Sequence, residues 1–570
     1  MRSRLWAVAT AILLAGTASA AQQPAAKDYD LLIRGGTIYD GLSQHPFTGD
    51  VAIKGDKIVF VGPAAPGQAA QVVDATGKAV SPGFINMLSW AVETLIADGR
   101  GMSDTMQGVT LEVFGEGESF GPWNAEMKKL AVQRQGDIKY PIQWTTLGQY
   151  LDFLVKKGVT PNIASFIGAA TPRIHELGEG DVDPTPAQLD RMRGLVRAAM
   201  KEGALGVGSS LIYAPANFAE TPELIAITTE AAKCGGMYIS HIRSEGTNLL
   251  EAIDELIEIS RASGAPAEIY HFKQAGRRNW DKIDAAIARV EAARASGLRI
   301  TADMYTYPAS STGFDAAFPL WMQDGGLEAW IKRLKDPEAR ARSLSEMRDP
   351  KGDGNSDLVV NFPDKVLLVG FKTDKLKPLT GKSLGEVARE RGKPSDEVAA
   401  DLIVEDGSRV QVVYFGMNED NVRRQTSLPW MSFGSDGESQ AAEGVFLKSS
   451  THPRSYGNFA RLLGKYVRDE KTTSLPDAIR RMTSFPATNL GIKGRGVLRD
   501  GYYADVVVFD PATIQDQATF AKPQQLSTGV SDVFVNGVQV VKQGKHTGAK
   551  PGRVVRGPGW TGWADGGACH

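Results

Sequence analysis

The sequence is poor in cysteine, with Cys234 and Cys569 as the two cysteines in 570 residues. Two cysteines cannot make the dense disulfide framework of a small secreted domain, so the packing of apolar side chains must hold this fold. We expect Cys234 to be a small apolar residue buried in a helix. Cys569 falls in the glycine-rich stretch 557–570, which we expect to be a flexible tail.

An excess of charge is also missing. Lys and Arg number 64, and Asp and Glu number 66, which gives a net charge of −2 at pH 7. This balance provides no electrostatic attraction toward nucleic acid or an anionic membrane, so we expect neither as a partner. After the N-terminal region no apolar run is long enough to cross a bilayer, so no membrane span is expected in the mature chain.

The N-terminal segment 1–20 is typical of a cleavable signal peptide. Arg2 and Arg4 form a basic start, Leu5 to Leu14 form an apolar stretch, and Ala18-Ser19-Ala20 forms a small-residue cleavage site. We therefore expect a periplasmic or secreted mature protein. A non-cleaved anchor is the alternative, although the apolar stretch is short for a transmembrane helix.

The length of 570 residues allows two to four domains, or one large α/β barrel with an appended domain. Strand-like segments at the two ends, 28–80 and 497–556, predict one small sheet domain. Alternating strand and helix patterns across 81–496 predict a parallel barrel with its site at the carboxyl ends of the strands. A charged stretch with glycine and proline near 332–364 predicts an excursion inserted into this barrel.

Two of the seven histidines end neighbouring strand-like runs. His241 ends the run 236–241 and His271 ends the run 267–271, with one helical segment from Thr247 to about 263 between them. Both side chains should therefore reach the same barrel mouth, where neutral imidazole is a good zinc ligand. A lone histidine at a strand end is more often a hydrogen-bonded structural residue, but the pair favours a metal site.

Three carboxylates stand beside turns at the ends of other strand-like runs. Glu116 follows the run 110–115 inside a tight Gly-Glu-Gly-Glu turn, and Glu118 lies two residues further from the strand. Which of these two acids is the ligand stays open. Asp436 follows a short strand near the end of the barrel, where it could deprotonate a metal-activated water and protonate a leaving amine. The alternative for Glu116 and Glu118 is a solvated loop acid, and the alternative for Asp436 is an aspartate that caps a turn.

Several motifs together resemble the amidohydrolase superfamily and, within it, the D-aminoacylase (N-acyl-D-amino-acid deacylase) branch. The resemblance covers roughly residues 28–550. The resemblance is carried by the strand-like segments of 28–80. It is also carried by the segments 82–85, 240–245, 271–273, 434–437, 452–457 and 504–510. It implies a metal-dependent (β/α)8 TIM-like barrel of the α/β class with a small β-sandwich domain built from both chain ends.

The resemblance also implies a ligand set. His241 and His271 match the strand-end zinc ligands, Asp436 matches the catalytic aspartate, and Glu116 takes the position of a cysteine ligand. A carboxylate there should bind Zn²⁺ and also tolerate other divalent ions. The first-strand His-x-His of the branch falls on Leu88 and Trp90, whose side chains cannot ligate a metal, so we expect one ion.

Four further residues are candidates for substrate binding. Lys273 and Tyr213 match positions that the branch links with substrate, and their alternatives are a surface lysine and a core tyrosine. Arg243 and Arg454 could receive a substrate carboxylate through bidentate hydrogen bonds, or could serve in structural ion pairs. His452 resembles a motif position, and we expect a structural role for it.

The sequence therefore predicts an exported zinc-dependent amidohydrolase acting on a small-molecule linear amide, an N-acyl-(D-)amino acid. One alternative keeps the chemistry but changes the substrate to a cyclic amide, a D-amino-acid dipeptide or an acylated lipid amine. Another is a non-catalytic binding protein with the same fold. The acyl group, the side chain and stereochemistry of the substrate, and the oligomeric state stay open.

Overall fold

The computed structural model describes residues 27–349 and 354–569. The predicted signal peptide, 1–20, lies outside the described residues. None of the helices in the described ranges is both long enough and apolar enough to cross a membrane.

Eight parallel strands form a ring at the centre of the molecule. Consecutive strands pair in parallel. The third strand is interrupted at Phe166, but the Phe166 N–H still donates to the Phe114 carbonyl of the second strand. The Met87 N–H donates to the Phe433 carbonyl at 3.2 Å, which joins the last strand to the first. The ring is closed, and the predicted (β/α)8 barrel is confirmed. Its strands are Phe84–Asn86, Val109–Phe114, Asn162–Ser165 with Ile167–Gly168, Gly206–Ser210, Met237–His241, Ala267–Ile269, Ile300–Met304 and Met431–Phe433.

Helices connect the strands, as a parallel sheet requires. The helix between the two histidines runs over Leu249–Ser263 and buries one apolar face, with Gly264 at φ 75° ending it. It starts after Asn248, one residue beyond Thr247, and has no side-chain cap. The main helices along the barrel are Leu147–Lys157, Pro186–Lys201, Thr221–Lys233, Leu249–Ser263, Ile283–Ala295, Glu419–Thr426, Arg454–Arg461 and Leu475–Met482.

Strands from both ends of the chain make one nine-stranded sheet. The ends are joined by antiparallel pairing of Ala79–Pro82 with Val506–Phe509. Apolar residues of both segments, such as Ile33, Val80 and Phe534, form a common core. The nine strands are Tyr29–Ile38, Phe47–Lys54, Lys57–Gly62, Ala69–Asp74, Ala79–Pro82, Val506–Phe509, Val530–Val535, Val538–Lys542 and Lys545–His546.

The insertion into the barrel is larger than the sequence predicts. It lies between the last two barrel strands and contains its own antiparallel sheet of Ser310–Gly313, Gln411–Tyr414 and Val366–Gly370. A separate apolar core around Trp330 and Leu402 supports it. The prediction near 332–364 was too narrow because amphipathic helices of an insertion have the same periodicity as barrel helices. Its longer helices are Gly326–Lys335, Pro337–Met347, Gly354–Asn361, Leu384–Arg391 and Ser395–Asp406.

The cysteines correct another expectation. Cys234 and Cys569 form a disulfide across 335 residues of sequence, so Cys234 is not an unpaired apolar residue. The preceding residues of the C-terminal segment lie against the barrel, because the Gly557 N–H donates to the Gly203 carbonyl and the Thr561 N–H to that of Lys201. Spacing alone could not reveal this pair, because cysteines so far apart in sequence give no local signal.

Candidate metal centre

Three side chains converge at the carboxyl ends of three barrel strands. His241 is the last residue of its strand, and Glu116 and His271 each lie two residues beyond theirs. Nδ1 of His241 and Nε2 of His271 both lie 3.0 Å from Oε1 of Glu116. All three side chains are buried. Within 27–349 and 354–569, this is the one group of three or more His, Cys, Asp or Glu residues arranged to hold a metal ion.

The backbone around Glu116 requires glycine on both sides. Gly115 has φ 105°, and a Cβ there would lie 2.4 Å from the Phe166 carbonyl oxygen. Gly117 has φ 70°, and a Cβ there would lie 2.6 Å from Cβ of Ser210. Any other residue would push the turn away from neighbouring strands, so the glycines fix where the Glu116 carboxylate lies.

Two site residues adopt left-handed backbone conformations that non-glycine residues rarely use. His271 has φ 34° and Asp436 has φ 47°. The N–H of His271 donates to Oδ1 of Asp303 at 2.8 Å, and the N–H of Asp436 donates to the Leu88 carbonyl at 2.9 Å. Such conformations cost about 1–3 kcal/mol each and concentrate at functional sites.

Glu245 contacts the opposite side of both imidazoles. Its Oε1 lies 3.0 Å from Nδ1 of His271, and its Oε2 lies 3.5 Å from Nε2 of His241. The Lys273 ammonium, which is buried, contacts the Glu245 carboxylate and lies 2.7 Å from Nδ1 of His271. Both rings therefore lie between the carboxylates of Glu116 and Glu245.

Negative charge dominates the centre. Burial alone would raise the pKa of Glu116, but the charge of His271 and hydrogen bonds from both imidazoles bring that pKa well below its usual range. Burial and Lys273 lower the pKa of His271, yet Glu245, Asp436 and Glu116 outweigh them and raise it to about 10. With neutral imidazoles, the three carboxylates exceed the cations Lys273 and Arg454 by one charge, so the site favours a cation, and a divalent ion would displace the His271 proton.

The donor set fits such an ion as well. Two imidazole nitrogens and one carboxylate oxygen are ligands that Zn²⁺ and other divalent transition metals accept. A set of three protein ligands is typical of catalytic zinc sites, whereas structural sites use four. Glu116, His241 and His271 would hold the ion.

Asp436 lies directly beside these donors. The indole N–H of Trp90 donates to Oε2 of Glu116 at 3.0 Å and to Oδ1 of Asp436 at 3.2 Å. Nη1 of Arg454 lies 2.9 Å from Oδ2 of Asp436. Burial raises the pKa of Asp436, and the charges of Arg454 and His271 work against that rise.

A cavity of about 720 Å³ opens onto the donors. Tyr213 lines it, packs edge-on against His241 with ring centroids 5.4 Å apart, and donates its hydroxyl to Oγ1 of Thr312 at 2.8 Å. Lys273 and Arg454 also line this cavity. The structure thus brings three of the four predicted substrate-binding residues to the site.

Arg243 is the exception. Its guanidinium pairs with Glu255 at 2.8 Å and donates to the carbonyls of Asn217 and Ala219. It does not line the cavity, so the expected contact with a substrate carboxylate is corrected to a structural ion pair. His452 lines the cavity, and its Nε2 lies 3.0 Å from the Ala309 carbonyl oxygen, so the structural role expected of it stays a prediction.

The choice between Glu116 and Glu118 is answered by geometry. Glu118 is outside the donor group, and the charges that act on it are those of Glu179, Arg134 and Arg409.

Sequence reasoning missed Glu245 and Asp303. Asp303 lies near the carboxyl end of the strand Ile300–Met304, next to that of His271, and this position could have identified it. Glu245 lies in a loop and gave no such signal.

Comparison with known proteins agrees with this geometry. A model described as the amidohydrolase family matches residues 447–541. The chain is 31% identical to the D-aminoacylase of Alcaligenes xylosoxydans xylosoxydans over 534 residues, which cover 94% of this chain and 99% of that protein. It is 30% identical to the N-acyl-D-glutamate deacylase of the same organism over 533 residues, covering 92% and 96%.

Solved structures give the same result. The N-acyl-D-glutamate deacylase from Bordetella bronchiseptica, complexed with zinc and a phosphonate inhibitor, matches with a TM-score of 0.76 at 29% identity, covering 93% of this chain and 99% of that one. A D-aminoacylase structure matches with the same TM-score at 30% identity, covering 93% and 100%. The chain therefore belongs to the D-aminoacylase (N-acyl-D-amino-acid deacylase) branch of the amidohydrolase superfamily and is a metal-dependent hydrolase of non-peptide carbon–nitrogen bonds.

Proposed function

We propose that this protein hydrolyses an N-acyl-D-amino acid with one zinc ion held by Glu116, His241 and His271. The observation that carries the proposal is the position of Asp436, which shares the Trp90 N–H with Glu116 at the floor of a substrate-sized cavity. A ligand set beside a carboxylate that does not belong to it is the arrangement that metal-assisted amide hydrolysis needs.

The chain's own residues divide the chemistry between them. A divalent ion at the three donors would supply Lewis acidity toward the amide carbonyl and lower the pKa of water. Asp436 takes the proton from the attacking water and returns it to the leaving nitrogen. Burial raises the pKa of Asp436, which makes its carboxylate a stronger base than an exposed aspartate.

Arg454 is the better of the two cations for holding a substrate carboxylate. Among the described residues, no acceptor faces its buried Nε, while Nη2 donates to the Ser311 carbonyl and Nη1 pairs with Asp436. The guanidinium carbon lies 4.6 Å from the centroid of the Tyr305 ring, which fixes its plane. The Lys273 ammonium already contacts Glu245 and His271, so Lys273 supports the centre and adds positive charge.

Three observations support the choice of substrate and metal. The relatives at 30–31% identity are named for the hydrolysis of N-acyl-D-amino acids. A carboxylate and two imidazoles suit Zn²⁺. Leu88 is buried and the Trp90 side chain is a donor only, so the first strand supplies no ligand for a second ion.

A second candidate keeps the chemistry but uses a longer acyl group, such as that of an acylated lipid amine. Apolar side chains also line the cavity: Leu327, Phe371, Val445 and Phe446. Burying methylene groups there would contribute about 0.8 kcal/mol each. This candidate requires kcat/KM to rise with acyl length.

We also propose that the protein is exported, to the periplasm or the medium. The N-terminal pattern at 1–20 is the first support. The second is the Cys234–Cys569 disulfide, because disulfides persist in oxidising compartments and are rare in the cytosol.

Replacing Glu116 with Gln should remove the ion, because the amide lacks the charge that complements the cation. We expect an affinity at least about 100-fold lower, since even residues that only orient ligands contribute 10–100-fold. Metal content after dialysis, measured by elemental analysis, is the readout. Glu118→Gln is the matched control and should keep one ion per chain. A Glu116→Gln protein that keeps its ion would contradict the ligand assignment.

Replacing Asp436 with Asn should lower kcat about 10²–10⁴-fold, because the amide cannot accept the water proton. Bound metal should stay near one ion per chain. Asp137→Asn changes a carboxylate of the same cavity that pairs with Lys377, and should leave kcat within about twofold. Turnover at the wild-type rate in the Asp436→Asn protein would exclude the acid–base role.

Replacing Arg454 with Met should raise KM for an N-acyl-D-amino acid about tenfold or more, because a charge-assisted hydrogen bond to the substrate carboxylate is lost. The same change should leave KM for the corresponding carboxamide within about twofold. Steady-state kinetics on both substrates test this, and an equal rise in both KM values would remove Arg454 from carboxylate recognition.

The same kinetics should use D and L isomers with acetyl to decanoyl groups. Preference for the D isomer supports the proposed substrate, and equal kcat/KM for both isomers would contradict it. A kcat/KM that rises steadily with acyl length, with no turnover of short acyl groups, would instead favour the second candidate.

The export proposal makes its own prediction. Full-length protein produced in a bacterium with a periplasm should appear in the periplasmic fraction beginning at Ala21. Non-reducing digestion followed by mass spectrometry should then yield a linked Cys234–Cys569 peptide. Deletion of residues 2–20 should retain the protein in the cytoplasm. An intact N-terminus in the cytoplasmic fraction would show that the proposal is wrong.

A further inference from the structure

Trp90 occupies an unusual position between the two essential carboxylates. Oε1 of Glu116 is taken by both imidazoles, and Oδ2 of Asp436 is taken by Arg454. The remaining oxygen of each acid, Oε2 of Glu116 and Oδ1 of Asp436, accepts from the same N–H of Trp90. The neutral indole N–H of Trp90 thus lies between one oxygen of each carboxylate.

A point about 3 Å from two carboxylate oxygens attracts cations. Indole has a single N–H donor and no lone pair that a metal can use. The ring therefore partly offsets the repulsion between the acids, and its bulk fills the space that a second cation would need. Leu88, two residues earlier, offers no ligand either.

The backbone holds this arrangement in place. The Trp90 N–H of the main chain donates to the Gly437 carbonyl at 2.9 Å, and the Asp436 main-chain N–H donates to the Leu88 carbonyl at 2.9 Å. These two bonds join the loop after the first barrel strand to the loop after the last. The indole is 39% exposed, so it also forms part of the cavity wall.

We propose that Trp90 is a positioning residue that replaces a second cation. Its indole N–H holds Asp436 beside the substrate, and its ring fills the space beside Oε2 of Glu116 that a second ion would need, so that the centre binds one ion. This role rests on the proposed function, because it acts through Asp436.

The first test is Trp90→Phe, which keeps an aromatic ring but removes the N–H. Loss of a hydrogen bond to a charged acid should lower kcat about tenfold, with KM changed less than about twofold and one ion still bound. Trp321→Phe is the matched control, because Trp321 donates to Oε2 of Glu346 at 2.7 Å in the insertion. It should leave kcat unchanged. Wild-type kcat in Trp90→Phe would overturn the positioning role.

The second test is metal stoichiometry, which does not depend on activity. Wild-type and Trp90→Phe proteins should bind one Zn²⁺ per chain in excess zinc, as measured by equilibrium dialysis. Trp90→His removes the large ring and adds an imidazole between the two acids, so it should bind two. One ion in Trp90→His would show that the indole does not limit the number of ions and would overturn that part of the inference.

The outcomes separate this inference from the proposed function. Full turnover in the Asp436→Asn protein would mean that the function itself is wrong. An inactive Asp436→Asn protein together with a fully active Trp90→Phe protein would remove the role of Trp90 and leave the function intact.

Discussion

The carboxylate of Glu116 is the interaction on which the centre depends. Its Oε1 contacts two imidazoles from neighbouring strands. Its Oε2 accepts from the Trp90 N–H, which also donates to Asp436. A buried carboxylate left without such partners would cost several kcal/mol. Burial of Glu116 therefore depends on these partners, and the proposed ligand set and the proposed acid–base group are held by the same carboxylate.

That carboxylate needs a rigid frame, which the parallel barrel supplies. The carboxyl ends of all eight strands meet at one rim, so residues far apart in sequence become neighbours. Gly115 and Gly117 permit the close turn around Glu116, and Asp303 ties down the strained backbone of His271. The barrel is stable enough to support these local costs because its strands are buried on both faces.

The barrel, His241, His271, Glu116 and Asp436 could all be anticipated, because strand ends and tight turns leave local signals in sequence. Arg243 could not be placed correctly, since spacing does not tell which way a loop side chain points. Glu245 lies in that same loop and turns back toward the imidazoles. The disulfide and the full insertion depend on contacts between distant segments, which periodicity does not record.

The insertion and the barrel contribute different parts of the cavity. It has its own apolar core and supplies one wall of the cavity, whereas the barrel supplies the donors and Asp436. Several hydrogen bonds connect them, and those at the cavity include the bonds from Tyr213 to Thr312 and from Arg454 to the Ser311 carbonyl. If the proposed function holds, changes in the insertion alter which acyl group fits without moving the proposed ligands. Arg454 contacts both the insertion and Asp436, so the proposed substrate contact and the proposed acid–base group are linked through its guanidinium.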